Sequence, residues 1–152
     1  MNIEIRRALP EDADVLTEIA IAAKGHWGYP GHWMQIWKPE LTYRPEYVEK
    51  SDIWVAVIDG ALIGLYTLRA KDGNAWLEDL WVLPAQMGNG IGRALLRHAI
   101  QSSKERGYQI MRFESDPNAI GFYIKMGAHQ IGERHSEVDG QPRILPIMEI
   151  EL

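Results

Sequence analysis

The chain has 152 residues, of which 46% are hydrophobic, with a net charge of -5 and no cysteine. This length corresponds to about one domain, and the lack of cysteine excludes disulfides, thiolate metal sites and a cysteine nucleophile. The negative charge disfavours general binding to nucleic acid or anionic membranes, and no apolar run approaches the roughly 20 residues that span a bilayer. We therefore expect one cytoplasmic domain over residues 1–152 that binds neither nucleic acid nor membrane.

The first third of the chain predicts a strand, a helix and an irregular segment. Residues 3–8 roughly alternate between apolar and polar, as in a strand. Residues 10–14 combine a proline with three acids, which suit the first turn of a helix, and apolar residues at helical spacing continue to Ala23. Between 24 and 47, scattered glycines and prolines predict loops with one or two short helices.

Three strands are predicted next. The apolar runs 53–58 and 61–68 flank Asp59-Gly60, a pair that tolerates the positive φ angles of a tight hairpin turn. These two strands should therefore be antiparallel. A third strand over 75–83 follows another turn at 71–74.

The second half of the chain alternates helices and strands. Helical spacing of apolar residues predicts the longest helix from Ile91 to Gly107, followed by a strand over 108–114 and a short helix over 118–126. Two further strands are expected over about 128–137 and 143–151. The resulting order predicts a mixed α/β layer, rather than the regular alternation of a Rossmann fold.

The segment Met87-Gly88-Asn89-Gly90-Ile91-Gly92, called the glycine loop below, joins the third strand to the longest helix. Alternate glycines let the backbone approach a ligand, and the start of the helix adds a partial positive charge. Arg93 and Ala94 occupy places where a Rossmann fingerprint or a Walker loop needs other residues. By itself the loop indicates a phosphate-like anion, and an ordinary glycine-rich turn explains it equally well.

Two separated blocks make the chain similar to the GNAT superfamily of N-acetyltransferases. The first is Val82-Leu83-Pro84 with Gly88-Asn89-Gly90-Ile91-Gly92-Arg93, and the second is Asn118-Ala119-Ile120-Gly121-Phe122-Tyr123-Ile124-Lys125-Met126-Gly127. The resemblance covers nearly the whole chain and implies a twisted, mixed, mostly antiparallel sheet flanked by helices. It also implies transfer of an acetyl group from acetyl-CoA to a primary amine by direct attack in a ternary complex. A small or polyamine-like acceptor is favoured over a protein.

The resemblance further implies which residues hold acetyl-CoA. The backbone of residues 80–82 would pair with the pantetheine arm, and an N–H near Val82 would polarise the thioester carbonyl. Met87 stands where the family usually has Arg or Gln, so backbone amides from about Gly88 to Arg93 should bind most of the phosphate charge. Asn118 is either a helix N-cap or a cofactor contact. The predicted cofactor-binding residues are Leu80, Trp81, Val82, Met87, Gly88, Asn89, Gly90, Ile91, Gly92, Arg93, Asn118 and Tyr123.

Two side chains are candidates for proton transfer. Tyr123 stands where the family commonly places the acid that protonates the leaving thiolate, although a packing tyrosine would fit the same pattern. Strand alternation puts Glu78 on the same face as Leu80 and Val82, where desolvation should make it a better base. The alternative for Glu78 is a structural carboxylate, a role that suits Asp79 better.

The segment 24–33 concentrates histidines and aromatic residues among turn formers. We expect His26, Trp27 and Tyr29 in the roof of the acceptor pocket, with packing against the core as the alternative. His26 and His32 lie six positions apart, which is not the spacing of a zinc-binding helix, so no metal is expected.

One other functional class fits the same motifs. A module that binds acyl-CoA without transferring the acyl group would keep the glycine loop, whereas Tyr123 and Glu78 favour an enzyme. Members of the superfamily often dimerise, so a homodimer is one state that the resemblance allows.

Overall fold

A computed structural model describes residues 2–152, and a seven-stranded sheet runs through its centre. The strands are β1 (Glu4–Arg7), β2 (Asp52–Ile58), β3 (Ala61–Lys71), β4 (Asn74–Val82), β5 (Ile110–Glu114), β6 (His129–Val138) and β7 (Gln141–Glu151). Their order across the sheet is β1-β2-β3-β4-β5-β7-β6, and every neighbouring pair is antiparallel except β4 and β5. The predicted mixed, mostly antiparallel sheet is confirmed.

Five helices flank the sheet. They are α1 (Ala13–Gly25), α2 (Gly31–Leu41), α3 (Pro45–Lys50), α4 (Ile91–Glu105) and α5 (Ile120–Lys125). The segment expected to hold loops with one or two short helices contains α2 and α3. Pro30, Gly31 and Pro45 stand at helix starts, where a proline loses no hydrogen bond, whereas Pro39 lies inside α2. No helix in residues 2–152 is long and apolar enough to cross a membrane.

Apolar faces of α1 and α4 pack on opposite sides of the sheet and form two buried clusters. The close approach of α4 depends on Gly64 in β3, opposite Val82. A Cβ atom at Gly64 would lie 2.9 Å from the carbonyl oxygen of Trp81 and 3.0 Å from Leu95 Cδ1. The missing side chain therefore lets α4 lie directly against β3 and β4, with its first residues beside the end of β4.

Strands β4 and β5 pair over a short distance and then separate. Their parallel ladder contains two residue pairs, Ala75 with Met111 and Trp76 with Arg112. Beyond Trp76, β4 stays paired with β3 on one edge while its other edge has no strand beside it. Backbone groups on that second edge are therefore available to a ligand.

A β-bulge at Glu78 changes which side chains share a face of β4. Thr67 of β3 pairs with Asp79 and the next residue, Leu68, pairs with Leu77, so Glu78 has no partner opposite it. The alternation is interrupted there, and Leu77 joins Leu80 in the cluster beneath α4. The prediction that Glu78 shares a face with Leu80 and Val82 was wrong, because period-2 counting does not anticipate a bulge.

Candidate active site

A cleft of about 950 Å³ opens where β4 and β5 diverge. One wall is formed by residues 76–82 of β4, and the facing wall by residues from the segment 114–123 that follows β5. One end of the cleft reaches the glycine loop. The other end, called the acceptor end below, is lined by Lys24 and Trp27 at the end of α1, by α2 and by Arg143 of β7.

The start of α4 presents unpaired backbone donors to the cleft. Gly90, directly before α4, has a φ of 81°. The first hydrogen bond of the helix runs from the Ala94 N–H to the Gly90 carbonyl at 3.0 Å, so the N–H groups of Ile91, Gly92 and Arg93 have no acceptor within the helix. These three residues line the cleft, at the positive end of a 15-residue helix. The arrangement suits an anion such as a phosphate.

The cleft contains every predicted cofactor-binding residue except Asn89. The Asn89 side chain turns back on the loop, where its Nδ2 donates to Gln86 Oε1 at 3.3 Å. Met87 does line the cleft, and so does Gln86 beside it. The backbone donors of the loop thus lie beside Met87 and Gln86, whose side chains carry no charge.

Tyr123 is a core residue that also lines the cleft. Its side chain is buried, and its ring lies 4.4 Å from Phe113 and 5.1 Å from Phe122 between ring centres. Burial raises the pKa of Tyr123, with smaller contributions from the charges of Asp116 and Asp79. The phenol therefore keeps its proton at neutral pH, which a general acid requires.

The two carboxylates of β4 have different environments, and that of Glu78 differs from the expected one. Glu78 is 39% exposed and pairs with Arg69, so it is not desolvated as predicted. The carboxyl group of Asp79 is turned inward, and Tyr43 Oη donates to its Oδ2 at 2.8 Å. Desolvation raises the pKa of Asp79, partly opposed by this hydrogen bond. The bulge accompanies this difference, because Glu78 lies opposite no residue of β3 and is exposed, whereas the carboxyl group of the next residue is turned inward.

The three residues predicted for the acceptor pocket lie at different depths. Trp27 lines the cleft. His26 is exposed and packs edge-on against Trp27 at 4.9 Å, outside the cleft lining. Tyr29 lies behind the wall, stacked on Trp33 at 6.0 Å and edge-on to Trp37 at 5.0 Å.

A buried cluster of charges at the acceptor end was not predicted. The carboxylate of Asp116 accepts hydrogen bonds from Tyr29 Oη at 2.8 Å, Lys24 Nζ at 3.2 Å and Arg143 Nη2 at 3.4 Å. Desolvation opposes ionisation, yet the Asn118 backbone N–H, Tyr29 and Lys24 together hold the pKa of Asp116 below its ordinary value. Lys24 and Asp116 are 92 residues apart, so no local motif could have revealed the cluster.

No group of three or more histidine, aspartate or glutamate side chains in residues 2–152 is placed to hold a metal ion. Separately, the cleft presents backbone donors, the Tyr123 phenol, the two β4 carboxylates and the charged acceptor end.

Comparison with known proteins identifies the family. The model of the acetyltransferase (GNAT) family matches residues 16–128. The chain is 29% identical to the peptidyl-lysine N-acetyltransferase YjaB of Salmonella typhimurium, covering 99% of this chain and 98% of the relative. The PaiA N-acetyltransferase of Thermoplasma acidophilum, solved in complex with coenzyme A, superposes with a TM-score of 0.80 at 25% identity over 100% of both chains. A GCN5-related N-acetyltransferase from Rhodopseudomonas palustris shares the fold, with a TM-score of 0.84 at 20% identity over 100% of this chain and 97% of the other.

The chain belongs to the GNAT acetyltransferase family. Its class is that of an acetyl-CoA-dependent N-acetyltransferase, as the two sequence blocks predicted.

The inward carboxyl group of Asp79 predicts a specific pH dependence of stability. Because its folded-state pKa is raised, the folded chain holds a proton that the unfolded chain releases above a pKa of about 3.9. The contribution of Asp79 to wild-type stability should therefore fall as pH rises from about 4 through its folded-state pKa. Asp79→Asn removes this loss, so its free energy of unfolding should exceed that of wild type by an amount that grows with pH.

Urea unfolding from pH 4 to pH 8 measures this difference. Glu49→Gln, at an exposed position of α3, is the matched control and should differ from wild type by a constant amount. An Asp79→Asn difference that is also constant with pH would contradict the assignment.

The left-handed conformation of Gly90 predicts a loss of cofactor binding in Gly90→Val. A side chain at a φ of 81° costs about 1–2 kcal/mol, and a β-branched one should move the adjacent N–H donors. Calorimetry should show acetyl-CoA binding weakened about 10-fold or more. Gly60→Val is the matched control, because Gly60 has a φ of 80° in the β2–β3 turn, outside the cleft lining. Equal affinity of the two variants for acetyl-CoA would contradict the role of the loop.

Proposed function

We propose that residues 1–152 act as one acetyltransferase domain that moves the acetyl group of acetyl-CoA directly to a small primary amine in a ternary complex. The observation that supports this most is the arrangement of three features along one cleft. These are the unpaired donors at the start of α4, the free edge of β4 and the phenol of Tyr123.

The cofactor is proposed to lie along β4. The N–H groups of Ile91, Gly92 and Arg93 bind its pyrophosphate, aided by the helix dipole. The pantetheine arm pairs with the backbone of residues 80–82, in the space that β5 leaves. A backbone N–H near Val82 donates to the thioester oxygen and stabilises the negative charge that develops there during attack.

Tyr123 is proposed as the acid of the reaction. The amine attacks the thioester carbon, and the tetrahedral intermediate collapses with cleavage of the carbon–sulfur bond. The Tyr123 phenol, which lines the cleft, gives its proton to the departing thiolate as the carbon–sulfur bond breaks.

Glu78 is proposed as the base that takes the proton of the attacking ammonium, directly or through water. It lines the cleft and is open to solvent, so the proton can leave the site. Asp79 is the competing candidate, because desolvation raises its pKa and makes it a stronger base than an ordinary aspartate. Its hydrogen bond to Tyr43 favours a structural role instead.

The transfer reaction is tested by measuring coenzyme A release over a panel of primary amines, together with acetyl-CoA binding. The panel includes a lysine peptide, because the Salmonella relative is named for peptidyl-lysine. Release with at least one amine is expected. Tight acetyl-CoA binding without release for any amine would instead favour a non-catalytic acyl-CoA sensor.

Tyr123→Phe should lower kcat about 10²- to 10⁴-fold with little change in acetyl-CoA affinity, because the ring keeps its packing while the proton donor is lost. Tyr108→Phe removes a phenol outside the cleft lining and should retain wild-type kcat. Comparable kcat in Tyr123→Phe and wild type would leave Tyr123 with a packing role alone.

Glu78→Gln should lower kcat/KM about 10²-fold at neutral pH while acetyl-CoA binding stays unchanged. The deficit should narrow toward pH 10, because an amine with a pKa of about 10.4 then loses its proton without help. Asp79→Asn, tested in parallel, should keep most of its activity. The opposite result, with Asp79→Asn impaired and Glu78→Gln active, would assign the base to Asp79.

A further inference from the structure

We propose that the acceptor amine also carries a carboxylate, and that Arg143 and Lys24 bind this carboxylate at the acceptor end of the cleft. This inference rests on the proposed function, since it assigns the substrate class of the same site. It describes the acceptor as a molecule with a positive amine and a negative acid group, such as an amino acid.

The charge balance of the acceptor end supports an anionic ligand. Lys24 and Arg143 share a single carboxylate, Asp116, and their side chains are 13% and 11% exposed. Glu40 also lines the cleft and adds a smaller favourable charge at Lys24. Asp116 is the one anion that bonds the two cations directly, which leaves one positive charge without a hydrogen-bonded anion in a largely buried place. Such a charge is costly unless it is paired, and a carboxylate on the ligand supplies the missing negative charge.

The geometry of Arg143 leaves donors for a planar acid group. Its contact with Asp116 uses Nη2 and is long, at 3.4 Å, so most of its five N–H donors remain for a ligand. The guanidinium lies over the rings of Trp37, at 4.9 Å, and Tyr29, at 5.0 Å. Aromatic rings against its face fix its plane while its edge stays open, as bidentate binding of a carboxylate requires.

Lys24 is oriented by the same ring. Its Nζ lies 4.4 Å from the centre of the Trp37 ring, so this ring contacts both cations. Burial lowers the pKa of Lys24, and the charge of Arg143 adds to this effect, whereas Asp116 opposes it. A second negative charge at this position would stabilise the ammonium form of Lys24.

The cluster lies next to the proposed chemistry. Asp116 accepts from the backbone N–H of Asn118 at 2.9 Å and from its Nδ2 at 3.0 Å, and Asn118 lines the cleft. Asp116 and Tyr123 both line this cleft. Glu78 stands on the β4 wall of the same cleft. An acceptor with both charges can therefore direct its acid to Arg143 and its amine toward Glu78.

A polyamine does not fit this distribution. It has no anionic group to offer to Lys24 and Arg143, and an ammonium placed directly beside these two cations would be repelled. Acids elsewhere in the lining, such as Glu40 and Glu114, do not change this contact. A phosphate dianion carries more charge than the single excess positive charge of the cluster. A carboxylate matches that excess.

The test compares acceptors that differ only in the carboxylate. With full-length protein and saturating acetyl-CoA, kcat/KM is measured for tyrosine against tyramine and for ornithine against putrescine. Glutamate against 4-aminobutyrate is a third pair, in which the decarboxylated amine still has one carboxylate. O-phosphoethanolamine against ethanolamine tests phosphate. The α-carboxylate should raise kcat/KM at least 10-fold in the tyrosine and ornithine pairs.

Variants then connect the preference to the cluster. Arg143→Gln should raise KM for the preferred amino acid about 10- to 100-fold, because this is the loss of affinity expected when a hydrogen bond between two charged groups is removed. The kcat/KM for its decarboxylated partner and the affinity for acetyl-CoA should change less than about 2-fold. Lys24→Met should act in the same direction. Arg44→Gln removes an exposed arginine outside the cleft lining and is the control for net charge.

The outcomes separate the two proposals. Decarboxylated amines that are acetylated as well as, or better than, their acids in wild type would overturn the carboxylate site while leaving the transferase intact, and this comparison needs no variant to fold. A preference for the phosphate ester over every carboxylate would also overturn it. So would Arg44→Gln, if it weakened the preference for an amino acid over its decarboxylated partner as much as Arg143→Gln does. No coenzyme A release with any amine, despite bound acetyl-CoA, would overturn the proposed function and this inference with it.

Discussion

The active site depends on the separation of β4 from β5 after Trp76 and Arg112. A parallel ladder that continued would satisfy the second backbone edge of β4 and fill the space that is now the cleft. Because the ladder stops, one edge of β4 is free while the other remains held by β3. Gly64 brings α4 against the same strand, so the donors at the start of this helix face the same space. The free edge of β4 and the donors at the start of α4 are thus both positioned by β3.

The bulge in β4 assigns different properties to two adjacent carboxylates. Glu78 lies opposite no residue of β3 and turns to the cleft and to Arg69, whereas Asp79 turns inward to Tyr43. The same chemical group is therefore solvent-exposed at one position and desolvated at the next. The carboxylate of Glu78 is open to solvent, whereas ionisation of the buried Asp79 carries a desolvation cost.

The acceptor end joins parts of the chain that are distant in sequence. α1 contributes Lys24, the segment after β5 contributes Asp116, and β7 contributes Arg143. Their charges do not cancel, and Trp37 of α2 orients both cations. Glu78 stands on the β4 wall of the same cleft, paired with Arg69. Under the carboxylate proposal, this end of the cleft would select among amines by their second functional group, whereas the proposed cofactor half is built from backbone donors.

The sequence by itself determined the features that depend on neighbouring residues. Asp59-Gly60 marks a hairpin because the φ angles of a tight turn are a local property. The glycine loop and the block around Tyr123 indicate the family because each is a pattern of residues close together in the sequence. Only the tertiary structure decided which β4 carboxylate is buried, because a bulge depends on the register with β3. It also decided the charge of the acceptor end. Asp116 meets a partner 92 residues away in Lys24 and another 27 residues away in Arg143, and such contacts exist only once the sheet has brought α1 and β7 together.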